Sequence, residues 1–206
     1  MRIAVVGASG MAGSRVVAEA ASRGHRVTAV FRGTPPDSPH PEVEVVRGDA
    51  TDVSRMSAVF AGADAVVGAT RPEPGAEDTV AATITALLDA AAGIRVLVVG
   101  GAGPLRSPSG GLVIDDPAFV PTAWRTIASA SAAQLQACEA HSGDWVYLSP
   151  PAILEPGART GAYRRGTTTI LTADDGSSRI SAEDLAVAIV DELENPGQDR
   201  HFTIGY

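Results

Sequence analysis

The first 32 residues constrain this chain more than any other stretch. Arg2-Ile3-Ala4-Val5-Val6 is a short apolar run without polar alternation, which suits a strand buried on both faces of a parallel sheet. Gly7-Ala8-Ser9-Gly10-Met11-Ala12-Gly13 follows at once, Val16, Val17 and Ala20 continue at helical spacing, and Gly24 stops that helix. Val27-Thr28-Ala29-Val30-Phe31 then gives a second strand. Strand, glycine turn, helix and strand make one βαβ unit, the context in which G-x-x-G-x-x-G reads as a dinucleotide fingerprint. Gly7 allows the tight turn, Gly10 lets the backbone approach a pyrophosphate, and Gly13 lets the helix lie close to the strand. The helix N-terminus offers unpaired N–H donors and a positive dipole end to phosphate. Gly7, Ser9, Gly10, Met11, Ala12 and Gly13 are the expected cofactor contacts.

The second strand ends in Arg32, where an NAD-specific site carries Asp or Glu to hold the adenosine ribose. A guanidinium fork matches a 2′-phosphate, so the substitution points to NADP (NADPH) over NAD. The alternative is a solvated arginine at a strand end. Arg15, in the first helical turn, either assists or faces water.

Read onward, the chain predicts a Rossmann-type doubly wound α/β fold, a parallel sheet with helices on both faces, in one domain over residues 1–206. Thr34 to Pro41 carries four prolines and reads as an irregular surface loop. Val43–Val46 is a third strand, running into Gly48-Asp49-Ala50, with Asp52 or Ser54 as the next helix cap. Asp49 suits an adenine amino group or a turn. Ala65–Thr70 is a fourth strand whose exit, with Ala69, Thr70 and Arg71, crosses the ribose side of the crevice. A helix is expected over Ala76–Ala92, stopped by Gly93, then a fifth strand, Arg95–Val99, running into Gly100-Gly101-Ala102-Gly103. Those glycines either clear room for a flat nicotinamide ring or begin a flexible loop.

Leu105 to Thr126 shows no periodicity, and residues 104–126 read as a substrate flap, with Phe119 and Trp124 as candidates to cover a planar ligand. Ile127–His141 is a helix ended by Gly143, and Trp145–Ser149 a sixth strand. Pro150 and Pro151 stiffen its exit and are candidates for a cis bond. Short added strands are expected at Gly161–Tyr163 and Thr168–Leu171, with a hairpin-type turn at Asp174-Asp175-Gly176. Ser181 caps a final helix, and His201–Tyr206 is the last strand.

Composition narrows the function. Apolar residues make up 45% and aromatics 4%, an aliphatic core suited to helices on a parallel sheet. A net charge of −8 with no basic stripe argues against nucleic acid and anionic membranes as partners. All 16 basic residues are Arg, which excludes Schiff-base chemistry, a Walker lysine and any Lys-dependent proton relay. Cys138 is the only cysteine and the four histidines are scattered, so no metal site is expected. A start that enters a strand directly, with no apolar run of membrane length, predicts a cytoplasmic protein, monomeric or a small homo-oligomer.

On these residues the chain resembles the atypical short-chain dehydrogenase/reductase proteins, including NAD(P)H-binding proteins described as NADH–flavin reductases. It is also similar to flavin reductase (NADPH), the biliverdin-IXβ reductase. The resemblance rests on Gly7–Gly13, Arg32, Gly48-Asp49, Gly100–Gly103 and the segment Trp145 to Tyr163. Within that segment Leu148-Ser149-Pro150-Pro151 and Thr160-Gly161-Ala162-Tyr163 are specific, as is Arg179-Ile180-Ser181 before Asp184-Leu185-Ala186. It implies NADP in the crevice and a flavin such as FMN, or another planar acceptor, against the nicotinamide. Asp49 and Ala50 would then lie at the adenine and Arg32 at the 2′-phosphate. Ala69, Thr70, Gly100, Gly101, Pro150, Pro151 and Ile153 would line the ribose and nicotinamide.

Two departures matter. The group's usual Tyr-x-x-x-Lys pair is absent, and the serine and histidine that face substrate in biliverdin-IXβ reductase correspond here to Gly101 and Ala152. The expected activity is therefore direct hydride transfer from NADPH to a flavin or other planar acceptor. Ser149 and Tyr147 are the only catalytic candidates, each with a structural alternative. A non-catalytic NADP-binding redox sensor is the second reading. A nucleotide-sugar isomerase or epimerase is the third, weakened by the missing pair and the short C-terminal portion.

Overall fold

The computed structural model describes residues 1–34 and 40–206. The order of elements is β1 (Arg2–Val6), α1 (Met11–Ser22), β2 (Arg26–Phe31), β3 (Val43–Arg47), α2 (Val53–Phe60), β4 (Ala65–Gly68) and α3 (Val80–Ala90). Then come β5 (Arg95–Val99), α4 (Arg125–Ala140), β6 (Trp145–Ser149), β7 (Ile153–Glu155), β8 (Arg164–Gly166), β9 (Arg179–Ser181), α5 (Ala182–Glu194) and β10 (His201–Gly205). The main sheet runs β3-β2-β1-β4-β5-β6-β10-β8, with every pairing parallel except β10 with β8. This is the expected doubly wound sheet, and its strand order reverses direction between β1 and β4.

The continuous apolar strands are legible because both faces are covered. α1 and α5 pack together on one face, over Val5, Val67, Leu97, Leu148 and Phe202. α2, α3 and α4 cover the other, over Val6, Val66, Val98 and Tyr147. Gly24 and Gly93 end α1 and α3 at φ +79°, where a side chain would be strained. Asp52 and Ser181 cap α2 and α5 by accepting from the backbone N–H groups of Arg55 and Asp184. The expected irregular loop at 34–41 lies largely on residues 35–39, outside the described residues.

Several expectations need correction. The helix expected from Ala76 begins as a 3-10 turn over Glu77–Thr79, and α4 starts two residues earlier than expected, at Arg125. α4 ends at Ala140 with His141 as its extended C-cap, without a left-handed glycine at 143. The added strand is Arg164–Gly166, pairing antiparallel with β10, rather than Gly161–Tyr163 or Thr168–Leu171. Gly161 stands at φ +71° and its N–H is bound by a side chain, which takes it off any ladder. The turn at Asp174–Gly176 closes through Ala173, but β9 after it pairs with β7 in a separate two-stranded sheet. No cis peptide occurs among the described residues, so Pro150 and Pro151 follow trans bonds; both prolines are buried.

Residues 104–126 are anchored. Leu105, Val113 and Val120 are buried with Ala128 and Ile170 in a small third core, and Phe119 is half-buried against it. Ser107 and Ser109 donate to the Asp116 carboxylate, which also accepts from the Ala118 N–H. Single buried anchors separated by turns leave no period in the sequence.

The segment before β8 is held by one buried carboxylate. Asp184 accepts from the backbone N–H groups of Thr160 and Gly161, each at 2.8 Å, and from the hydroxyls of Thr160 and Tyr206. Burial alone would raise its pKa; the hydrogen bonds from Thr160, Tyr206 and Gly161 outweigh that and hold it below the usual 3.8. Nearby, Glu19 is held below 4.5, chiefly by its hydrogen bond from Arg159. Both groups are depressed in the folded state. Their stabilisation is thus complete above the unfolded values and is lost as the pH falls through the folded ones. Asp184→Asn is expected to cost about 2 kcal/mol, a fall in Tm of about 4–8 °C. Thermal melts should show the two proteins converging below about pH 4, as wild type loses the same charge.

Candidate functional site

The connections leaving the paired carboxyl ends of β1 and β4 part at the point where strand order reverses, and a cleft of about 570 Å3 opens there. Val6, Gly7, Ser9 and Gly10 form its floor, Val30 and Arg32 one wall beside Gly48–Thr51, and Ala69–Glu73 the other wall. Ala76, Thr79, Val80 and Thr83, at the start of α3, close the end.

The glycine turn is shaped by contact with backbone. Gly7 stands at φ +86°, and a Cβ there would lie 2.4 Å from the Ala69 carbonyl oxygen. A Cβ on Gly13 would lie 2.2 Å from the Gly7 carbonyl oxygen, so α1 can approach β1 only through a glycine. Gly10 differs. Its nearest such contact is 3.3 Å, and it lines the cleft. Gly10 is also the N-cap of α1, with no side-chain cap and no acid in the first turn. The N–H groups of Met11, Ala12 and Gly13 are left as orphan donors at a positive helix end.

Two further features fit a polar, anionic ligand. Thr70 lines the cleft, and its hydroxyl oxygen is buried without a hydrogen-bond partner. A buried hydroxyl left unpaired costs free energy that a ribose or phosphate oxygen would recover. Arg32 is exposed at the mouth and ion-paired to Glu73 on the opposite wall. Asp49 is engaged within its own loop: its carboxylate accepts from the Thr51 hydroxyl at 2.7 Å and the Thr51 N–H at 2.9 Å. These bonds, with a smaller pull from the Arg32 charge, keep its pKa below the usual carboxylate range. The donor set, orphan hydroxyl and cradle fit a nicotinamide dinucleotide.

Of the residues expected from the sequence, Gly7, Ser9, Gly10, Arg32, Asp49, Ala50, Ala69 and Thr70 therefore line one cleft. Met11, Ala12 and Gly13 form the first turn of α1 above its floor. Gly100, Gly101, Pro150, Pro151 and Ile153 lie outside it. The reason for the second glycine cluster changes. A Cβ on Gly100 would lie 2.0 Å from the Tyr147 hydroxyl, on Gly101 3.0 Å from Ser131, and on Gly103 2.4 Å from the Ala128 carbonyl oxygen. The missing side chains make room for Tyr147 and α4.

Both catalytic candidates point inward. Tyr147 is fully buried, its hydroxyl donating to the Ser131 carbonyl at 2.8 Å, and burial drives its pKa well up. Ser149 is fully buried with its Oγ 2.9 Å from His201 Nε2, and burial lowers the His201 pKa. Neither lines the cleft. Arg15 neither assists nor stands free: it pairs with Glu183 on α5 at 3.1 Å. Trp124 is exposed just ahead of α4, the helix that packs on the 3-10 turn Glu77–Thr79 beside the cleft. Phe119, by contrast, faces the third core.

Sequence reading missed Pro72, Glu73, Ala76, Thr79, Val80 and Thr83. They belong to the turn after β4, to the 3-10 turn ahead of α3 and to the first turn of α3, where Val80 is buried, and these carry no fingerprint. The one available signal was the absence of an acid after β2, which invites a search for one on the facing wall.

No helix among the described residues is long and apolar enough to cross a membrane, and no cluster of metal-ligating side chains occurs among them. Several solved structures align over this whole chain. One, from Burkholderia pseudomallei and provisionally described as an exported protein, is 39% identical with TM-score 0.88 and is itself covered fully. A second, from Bacteroides thetaiotaomicron and provisionally described as an epimerase, is 35% identical with TM-score 0.90 and is covered over 96% of its length. A third, from Streptococcus pneumoniae and provisionally described as an NADH-flavin reductase, is 30% identical with TM-score 0.86 and is covered over 99%. The family model for NAD(P)H-binding proteins matches residues 7–196, which carry the glycine turn and all of the cleft lining except Val6. This chain belongs to that NAD(P)H-binding family.

Proposed function

We propose that this protein is an NADPH-dependent oxidoreductase that passes hydride to a flavin or another planar acceptor. The observation that carries the reading is one cleft at the strand-order reversal, combining the uncapped α1 N-terminus with Arg32 at its mouth. Gly7, Ser9 and Gly10, with the N–H groups of Met11, Ala12 and Gly13, would hold the pyrophosphate. Thr70 and Ala69 would meet the adenosine ribose, Asp49 and Ala50 the adenine, and Arg32 the 2′-phosphate. Gly100, Gly101, Pro150, Pro151 and Ile153 would form the backbone wall at the nicotinamide end. Trp124 is the side chain free to stack on an acceptor, since Phe119 is committed to the third core.

The bound nicotinamide would supply a hydride. The protein's part is then to hold two flat rings in contact and to exclude water, which needs no strong acid. That agrees with a chain without Lys whose Tyr147 and Ser149 hydroxyls are buried. The resemblance to a protein provisionally described as an NADH-flavin reductase points the same way. Loss of NADPH absorbance, measured with purified protein with and without FMN, tests the reading. FMN-dependent turnover that prefers NADPH over NADH supports it. Saturable NADPH binding without turnover on FMN, FAD or quinones would replace it with a non-catalytic sensor.

A further inference from the structure

Glu73 reaches across the mouth of the cleft to Arg32, the residue assigned above to the 2′-phosphate. We propose that Glu73 is a specificity-setting residue that narrows the preference for NADPH over NADH by occupying the guanidinium a 2′-phosphate needs. The inference rests on the reading of the cleft as a nicotinamide dinucleotide site.

The argument is one of competing anions. Arg32 ends β2 on one wall and Glu73 follows β4 on the other, so their ion pair spans the opening rather than lying along one element. Asp49 is the other carboxylate that acts on Arg32, through its charge alone; the hydrogen bonds its Oδ1 accepts come from Thr51. Glu73 alone is therefore bonded to the guanidinium among the described carboxylates. A dianionic 2′-phosphate entering the fork must displace that carboxylate and then remain near it, and like charges at such range repel. NADH carries a neutral hydroxyl at the same position. It leaves the ion pair intact. The carboxylate thus selects against one cofactor and tolerates the other.

Both side chains are about two-thirds exposed, at 65% and 67%, which sets the scale. Exposed ion pairs have small effects, so a change of about fivefold is expected rather than a switch. Exposure also means that removing the carboxylate leaves the fold unaffected.

Fluorescence titrations of wild type, Glu73→Gln and Glu73→Ala with NADPH and NADH test the proposal. Both variants should bind NADPH about fivefold tighter, with NADH affinity unchanged within about twofold. The gain should shrink as ionic strength rises toward about 1 M, where screening reaches about 3 Å. NADPH affinity that stays the same or falls, or an equal gain for both nucleotides, overturns the role of Glu73 and leaves the site reading intact. Wild type that binds neither nucleotide overturns both.

Discussion

Replacing Gly13 with alanine is expected to break both fold and nucleotide binding, whereas replacing Gly10 with alanine should break binding alone. The added Cβ at Gly13 would sit 2.2 Å from the Gly7 carbonyl oxygen and 2.8 Å from its carbon. These are backbone atoms at the end of a central strand, so no side chain can move aside. Relief requires shifting α1 away from β1, where Val16 and Ala20 are buried against the sheet. Overpacking of this kind costs about 3 kcal/mol, a fall in Tm of about 6–12 °C. At Gly10 the same atom meets nothing closer than 3.3 Å, and the backbone, at φ −74° and ψ 167°, suits any residue. Its methyl group enters the cleft where a pyrophosphate would approach. The expected result is a stability change within about 1 kcal/mol. NADPH affinity should fall at least about 30-fold, the loss of one or two charge-assisted hydrogen bonds. Melting curves and titrations on the two variants separate the roles. Equal binding losses accompanied by equal unfolding would mean that the turn is only architectural.

Arg32→Ala is expected to weaken NADPH binding by about 50-fold and NADH binding by less than about twofold. The side chain is exposed, and among the described residues its bonded partner is the exposed Glu73, so the described fold does not depend on it. Its contribution would come from a charged fork aimed at a phosphate, which NADH lacks. Paired titrations with the two cofactors check this directly. Parallel losses for both would place Arg32 at the shared pyrophosphate instead. No loss for either would make it a solvated strand end.

The parts of this molecule that were legible in the sequence are those that repeat or that obey a local rule. The central parallel strands are buried on both faces and read as apolar runs, as in Val96–Val99. Gly24 and Gly93 are needed at positive φ, and Asp52 and Ser181 cap helices in the manner their side chains favour. The Thr160–Tyr163 and Arg179–Asp184 motifs stood out for a reason the sequence could not supply. They meet at the buried Asp184 carboxylate, joined through Tyr206 at the chain end. Residues 105–126 were opaque because Leu105, Val113 and Val120 are isolated anchors between turns. Gly100–Gly103 was only half legible, because a glycine reports close approach without saying of what, and the neighbours inside the fold are Tyr147, Ser131 and Ala128. Glu73 could not be found locally, since its partner Arg32 comes from another βα unit.

Titration of the purified wild-type protein with NADPH and NADH, followed by nucleotide fluorescence, tests the central claim most directly. Saturable binding to one site per chain, tighter for NADPH and weakened by Gly10→Ala, is the predicted result. Absence of saturable binding by either nucleotide, or binding that Gly10→Ala and Arg32→Ala leave unchanged, would contradict the assignment of this cleft as the cofactor site.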